Sequence, residues 1–96
     1  MNKKQANYFK VLSDPNRLEI IELLLKGETC ECTLLDNLSI SQPTLSYHLR
    51  LINEVGLTKT KRNGNWIKHY VDRSKLNEMI DYLTKLRDME ITECKS

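Results

Sequence analysis

Residues 41–57 read SQPTLSYHLRLINEVGL, and this stretch carries the signals that decide the fold. Ser41 is a favoured N-cap residue and Pro43 is tolerated in the first turn of a helix, so a helix is expected to begin here. Gly56 provides a C-terminal stop signal. Between these ends, apolar residues recur at the spacing of one helix face: Leu45, Leu49 and Ile52. The pattern predicts an amphipathic helix with a polar first turn.

Three further helices are predicted ahead of this one. The first covers residues 3–12, and Ser13-Asp14-Pro15 is a strong start signal for the second. Gly27 ends the second helix, whose predicted apolar face consists of Leu18, Ile21, Leu24 and Leu25. The third is short, covers residues 29–38 and leads through the tight connection Ser39-Ile40 into the long helix. A short helix, a tight turn and a second helix form a helix-turn-helix.

A β-hairpin is predicted after the long helix. Residues 57–62 and 66–71 are rich in β-formers, and Asn63-Gly64-Asn65 between them is a hairpin turn signal. Ser74 is then predicted to cap a last helix of about five turns. The apolar stripe of this helix consists of Leu76, Met79, Ile80, Leu83 and Leu86. The expected fold is mainly α with a β-hairpin wing: a winged helix-turn-helix of five helices and two strands.

Size and composition fit a single domain over residues 1–96. The chain is 40% apolar and 29% charged, as is typical of globular proteins. No stretch approaches the roughly 18–20 apolar residues of a membrane span, and the N-terminus lacks the apolar core of a signal peptide. We therefore expect a cytoplasmic protein without a membrane partner.

The first and last helices carry more apolar surface than a three-helix core can cover. Such a surplus predicts a homodimer that forms through these two helices. The residues concerned are Tyr8, Phe9, Leu12, Met79, Leu83 and Leu86.

Basic residues are concentrated in residues 44–73, which carry a net charge of +4, whereas the rest of the chain carries −2. Such a block suggests a polyanionic partner, although a solvated hairpin whose lysines protect a sheet edge is the alternative. In a winged helix-turn-helix the second helix reads the major groove of double-stranded DNA through short polar side chains near its start. The predicted DNA-binding residues are Ser41, Gln42, Thr44, Ser46, Tyr47, His48, Arg50, Lys61, Arg62 and Lys68.

These residues have different predicted roles. Gln42 can pair with adenine through both atoms of its amide. His48 and Arg50 lie further along the helix, where they either meet phosphate or support the helix. The alternative for Ser41 and Thr44 is plain helix capping, and the alternative for Tyr47 is partial packing against the core. The wing residues are expected to grip the DNA backbone or the minor groove.

Cys30 and Cys32 lie one residue apart in the segment ETCECTLL. Thiolates are soft ligands that favour thiophilic ions such as arsenite, antimonite, cadmium and zinc. Two thiols are too few for a structural tetrahedral site and suit a low-coordinate site completed by another sulfur. Cys94 is either that sulfur or a free thiol near the C-terminus, and the alternative for the pair is two small core fillers.

Helical spacing suggests how such a site could act. Residues i and i+2 of an ideal helix point about 200° apart, so Cys30 and Cys32 could not bind one ion inside a regular turn. Ligation is therefore expected to unwind or redirect the start of the third helix and so to misplace the DNA-reading helix.

The sequence SQPTLSYHLRLINEVGL resembles the recognition helix of the ArsR/SmtB family of bacterial repressors. The segment ETCECTLLDNL resembles the arsenic-sensing ELCxCDL segment of that family, and the similarity extends over nearly the whole chain from residue 9. The resemblance implies a homodimeric repressor that leaves operator DNA when trivalent arsenic or antimony binds Cys30 and Cys32. Arsenite or antimonite would then be the inducer ligand.

The chain also departs from the family pattern. Thr33 stands where an aspartate often follows the second cysteine, and Leu35 stands where some members have a third cysteine. Residues 77–94 contain no histidine, so the SmtB-type zinc site on the last helix is absent. The alternative function is a winged-helix regulator that senses thiol oxidation or another thiophilic metal ion. An enzyme, with or without a catalytic cofactor, is not expected, because no nucleophile is paired with a base and no phosphate-binding loop is visible.

Overall fold

A helix-turn-helix followed by a hairpin forms the centre of the computed structural model, which describes residues 2–91. The elements are α1 (Lys3–Val11), α2 (Pro15–Leu25), α3 (Glu31–Asn37), α4 (Gln42–Glu54), β1 (Thr58–Asn63), β2 (Trp66–Val71) and α5 (Arg73–Arg87). Helices α3 and α4 are the helix-turn-helix, and β1 and β2 form the wing. The predicted winged fold of five helices and two strands is confirmed.

Two aspartates fix the starts of α2 and α5. The carboxylate of Asp14 accepts hydrogen bonds from the backbone N–H groups of Asn16 and Arg17, with Pro15 in the first turn. The carboxylate of Asp72 accepts from both the backbone N–H and the hydroxyl of Ser74. The prediction that Ser74 caps α5 is therefore wrong by two residues, because the serine hydroxyl is used as a donor to the actual cap.

The wing is a regular antiparallel hairpin. Thr58 pairs with Val71 at its base and Asn63 with Trp66 at its tip, which leaves a two-residue loop, Gly64-Asn65. Gly64 has a φ of +64°, the left-handed conformation that the first loop position of a type II′ turn requires. Lys59 on β1 forms an ion pair with Asp72, so the base of the wing is joined to the start of α5.

The hydrophobic core lies between the helices and the base of the wing. Its fully buried apolar members are Tyr8, Ile20, Leu34, Leu45, Ile52 and Leu57. On α2 the buried residues are Ile20, Ile21 and Leu24. The predicted inward positions of Leu18 and Leu25 are wrong, since both side chains are exposed.

Helix α5 divides its apolar residues between the core and the surface. Met79 is buried in the core, as Tyr8 of α1 is, so these two residues are not the free surface that the dimer prediction assumed. Exposed apolar side chains remain along the outer face of α5, namely Ile80, Leu83 and Leu86, and Met89 beyond its end is also exposed. Within residues 2–91, no helix combines the length and the apolar character that crossing a membrane requires.

Candidate DNA-binding surface and thiol site

The first turn of α4 is polar, exposed and firmly capped. The Ser41 hydroxyl oxygen accepts from the backbone N–H of Thr44, so the prediction that Ser41 caps this helix is confirmed. Gln42, Ser46 and Tyr47 follow as exposed side chains. Nε2 of Gln42 donates to the hydroxyl of Ser46 at 3.2 Å, which orients the amide along the helix surface. The predicted base-reading residues thus share one open face.

His48 lies inside the protein, with 6% of its surface exposed. Nη1 of Arg17 lies 3.1 Å from Nδ1 of His48, and Nε of Arg17 donates to the carbonyl of Val11 at 2.6 Å. His48 therefore supports α4 from beneath by joining it to α1 and α2. Of its two predicted roles, phosphate contact does not fit this buried position. Arg17 was not predicted, because no local pattern links residues 17 and 48.

The other predicted basic residues fall into two groups. Arg50 is exposed beside the Tyr47 ring, 5.5 Å from its centroid, and lies 3.5 Å from Glu54. Lys61 and Arg62 are exposed on β1. Lys68 is half-buried, and its backbone forms an isolated antiparallel bridge with Cys30. Lys68 thus lies where the wing meets the cysteine segment.

The two thiols converge. Cys30 is the N-cap of α3, with an extended backbone (φ −98°, ψ 140°), and the helix begins only at Glu31. The Cys30 and Cys32 sulfurs lie 2.6 Å apart. The prediction that the thiols point in opposite directions is wrong, because Cys30 precedes the helix and does not follow helical spacing. Unwinding of α3 is not needed to bring the sulfurs together.

The two thiols have different proton affinities. The hydrogen bond from the Cys32 thiol is the largest cause that lowers the pKa of Cys30. The same hydrogen bond raises the pKa of Cys32. Cys30 therefore loses its proton first and Cys32 keeps its own as a donor. Cys32 is exposed and Cys30 is half-buried, which does not fit two core fillers.

The described residues supply two thiols and no larger ligand cluster. Within residues 2–91, no group of three or more His, Cys, Asp or Glu side chains is gathered so as to bind a metal ion. Cys94, the predicted third ligand, lies outside the described residues.

The cysteine segment contacts both halves of the predicted DNA-binding surface. The carbonyl of Thr29 accepts a hydrogen bond from the backbone N–H of His69 on β2 at 3.0 Å. Oε1 of Glu31 accepts from Nε2 of Gln42 at 3.3 Å, and Oε2 of Glu31 lies 3.4 Å from Nε2 of His69. A cavity of about 240 Å³ between α4 and the wing is lined in part by Glu31 and His69. Sequence reasoning missed both residues, since their contacts join distant parts of the chain.

A capped polar helix after a tight turn, followed by a basic hairpin, defines a winged helix-turn-helix DNA-binding protein. The model for "Bacterial regulatory protein, arsR family" matches residues 14–60. An arsenical resistance operon repressor of Staphylococcus xylosus is 42% identical over 87 residues, which covers 91% of this chain and 80% of that protein. The chain belongs to the arsR family of bacterial regulatory proteins, which confirms the resemblance inferred from its motifs.

Other similar proteins show the breadth of this group. A cadmium resistance transcriptional regulatory protein of Staphylococcus aureus is 32% identical and covers 79% of this chain and 64% of its own length. The solved structure of an ArsR-like transcriptional regulator from Rhodococcus superposes with a TM-score of 0.80 at 25% identity, over 86% of this chain and 78% of that one. The chain is thus a transcriptional regulator of the repressor type and not an enzyme, as predicted.

Proposed function

We propose that this chain is a homodimeric repressor that binds operator DNA through α4 and the wing and is released by arsenite or antimonite. The observation that carries the proposal is the convergence of the Cys30 and Cys32 sulfurs at the start of α3, where the intervening Glu31 contacts Gln42 of α4. The arsenical resistance repressor of Staphylococcus xylosus supports the choice of inducer. The site of action is the cytoplasm, where operator DNA and a reducing environment coexist.

DNA reading is assigned to the exposed first turns of α4. Gln42 is the residue best suited to pair with adenine, with Ser46 and Tyr47 beside it on the same face. Thr44 is half-buried and Ser41 is engaged as the cap, so both contribute chiefly by fixing the helix start. Arg50, Lys61 and Arg62 are exposed cations that suit phosphate contacts. His48 is assigned a supporting role.

The thiol pair suits a soft ion. A thiolate forms most easily on Cys30, and the thiolate is the form of cysteine that binds metals. The sulfurs already converge, so one ion can bridge them without unwinding of α3. Ligation replaces the hydrogen bond between the thiols and constrains the start of α3, which gives the inducer a conformational preference that opposes DNA binding.

Dimerisation is assigned to the outer face of α5 with part of α1. Ile80, Leu83 and Leu86 are exposed there, and the half-buried Phe9 lies beside Tyr82. An apolar stripe of this kind on a small domain is typical of an isologous interface. Sedimentation at micromolar concentration is expected to give a dimeric mass, and Leu83→Glu is expected to give a monomer. A monomeric wild-type protein would contradict the assignment.

The direct test is a titration of the protein onto its own upstream DNA. Fluorescence anisotropy would be recorded without ligand and with arsenite, antimonite, cadmium or zinc. The proposal expects specific binding that arsenite and antimonite weaken strongly. Binding that no thiophilic ion affects would remove the sensor assignment while leaving the DNA-binding assignment intact.

The second candidate is a regulator with the same DNA-binding surface that responds to thiol oxidation or to another thiophilic ion. The short distance between the sulfurs favours it, because formation of a disulfide requires the two thiols to meet. The similarity to a cadmium resistance regulator favours another ion equally. Release by diamide in the absence of metals, reversed by dithiothreitol, would identify oxidation as the signal.

A further inference from the structure

Glu31 lies between the two thiols and is in contact with both parts of the DNA-binding surface. One carboxylate oxygen accepts a hydrogen bond from Gln42 on α4, and the other lies 3.4 Å from Nε2 of His69 on β2. The carboxylate itself is half-buried. Asn53 of α4 also donates to the carbonyl of Thr58 on β1 at 3.0 Å, but Glu31 is the side chain of the thiol segment that contacts both α4 and the wing.

The contact with His69 is a well-defined one. The ring is buried, with 7% of the residue exposed, and its Nδ1 has no hydrogen-bond partner within residues 2–91. Because a carboxylate only accepts hydrogen bonds, Nε2 of His69 must carry the hydrogen that points at Glu31. Glu31 is therefore the ring's hydrogen-bond partner in the described part of the chain. The wing depends on Glu31 for the orientation of this side chain.

The contact with Gln42 orients a base-reading group. Nε2 of Gln42 donates both to Glu31 and to the hydroxyl of Ser46, so both of its N–H groups are engaged and one of these bonds must be given up before the amide pairs with adenine. Pairing with adenine requires the amide nitrogen and oxygen to face the base together. The rotamer of Gln42 is thus set partly by a residue that belongs to the thiol segment.

We propose that Glu31 is the positioning residue that transmits occupancy of the thiol site to the DNA-binding surface. This inference rests on the proposed function. Cys30 and Cys32 are the immediate neighbours of Glu31 and their sulfurs converge, so an ion bound between them constrains the backbone that carries its carboxylate. The carboxylate then leaves Gln42 and His69, and α4 and the wing lose their common support.

The test compares Glu31→Asp with the wild-type protein. Aspartate keeps the charge and the preference for a helix start, but it is one methylene shorter and cannot reach both partners. Operator affinity would be measured by anisotropy with and without arsenite, and arsenite binding to the free protein would be followed separately by titration of free thiols. We expect arsenite binding to persist in Glu31→Asp. The factor by which arsenite weakens operator binding, roughly 150 in the wild-type protein, should fall at least tenfold.

Two further variants separate the possible causes. Glu31→Gln keeps the length of the side chain but has one acceptor oxygen, which can serve Gln42 or His69 and not both, so it is expected to restore only part of the coupling. Asp36→Ala removes one acidic charge from an exposed position on the same helix and is expected to leave the coupling unchanged. In a double-mutant cycle, Glu31→Asp and Gln42→Ala should be non-additive in base discrimination, because Glu31 acts through Gln42.

The outcomes distinguish this inference from the function on which it rests. Full coupling in Glu31→Asp, with wild-type release by arsenite, would overturn the role of Glu31 and leave the sensor assignment standing. Loss of coupling in Asp36→Ala to the same extent would also overturn it, because a residue of α3 that contacts neither Gln42 nor His69 would then have the same effect. Failure of arsenite to release the wild-type protein would overturn the proposed function and this inference together.

Discussion

Helices α3 and α4 both follow tight connections, yet they begin in different ways. The start of α4 has a serine cap whose hydroxyl accepts from Thr44, and the helix runs for 13 residues with four buried ones. The start of α3 has Cys30 at the cap position, without a side-chain capping bond in the described structure, and the helix has seven residues. The start of α4 is therefore fixed by its own sequence.

The start of α3 is held by contacts from elsewhere in the chain. The bridge between Cys30 and Lys68, the bond from His69 to Thr29 and the two contacts of Glu31 take the place of a local cap. A segment held in this way can respond to a ligand, because these contacts can break when Cys30 and Cys32 bind an ion. The start of α4 is thus held rigidly by its own cap, whereas the start of α3 is free to change when a ligand binds.

The sharpest test of this division replaces the thiols. Cys30→Ser and Cys32→Ser are each expected to abolish release by arsenite, because a hydroxyl is a poor ligand for a soft ion. A wild-type coupling of roughly 150-fold would fall to about onefold. Operator affinity without arsenite should stay close to the wild-type value, since both residues lie outside α4.

Cys94→Ser is the companion variant for the thiol test. A large loss of arsenite sensitivity would place Cys94 among the ligands, whereas an unchanged response would leave the pair with solvent or a small-molecule thiol. If both single variants at positions 30 and 32 melted early, bound DNA weakly and still responded to arsenite, the thiols would be core fillers.

The second test asks whether α4 contacts the bases while the wing contacts only the DNA backbone. Gln42→Ala is expected to reduce discrimination at particular base pairs by about 1–3 kcal/mol. Arg62→Ala is the matched control, because it should weaken binding to all sequences and flatten the salt dependence by about one unit. Competition assays with operator and random duplexes would measure both. Equal weakening on both duplexes by Gln42→Ala would remove its base-reading role.

The third test addresses the two helix starts directly. Ser41→Ala is expected to destabilise the fold by about 1 kcal/mol, because the backbone N–H of Thr44 loses its acceptor. This corresponds to a melting temperature lower by roughly 4–8 °C. Cys30→Ala removes no capping bond in the described structure and should change the melting temperature far less. Equal losses in the two variants would show that the starts are equally capped.

The smallest expected effect is a shift in thiol reactivity with pH. Cys32→Ala removes the hydrogen bond that lowers the pKa of Cys30, so the Cys30 pKa should rise towards the ordinary thiol value. Alkylation requires the thiolate, and its rate at neutral pH should therefore fall. Cys32→Ser keeps a hydroxyl donor and should leave the midpoint of the pH profile low. Both profiles would be recorded with Cys94→Ser as the background, and a midpoint that Cys32→Ala leaves unchanged would contradict the assignment.

The sequence predicted α4 and the wing well because their signals are local. A cap, a proline and apolar residues at helical spacing specify α4, and an Asn-Gly turn between β-rich runs specifies the hairpin. The start of α3 was misplaced because Cys30 is drawn into an extended conformation by β2, through a bridge to residue 68. Local spacing contains no information about that pairing.

The remaining errors also have physical causes. In α2 the run LEIIELLL offers apolar residues on several faces, and packing against other elements selects Ile20 over Leu18. The partners of Arg17 and Glu31 lie 31 and 38 residues away, so no sequence window shows them together. The role of His69 was missed for the same reason, because a lone histidine has no periodicity.

The hydrogen bond from the backbone N–H of His69 to the carbonyl of Thr29 also has a consequence for local stability. This bond joins the wing to the cysteine segment. The hydrogen of the His69 amide can therefore exchange with solvent only when the wing and the cysteine segment separate. Exchange at His69 therefore measures the free energy of opening of the joint between them. The exchange rate of the His69 amide, which lies on the wing and far in sequence from either thiol, would therefore report the local stability of the start of α3.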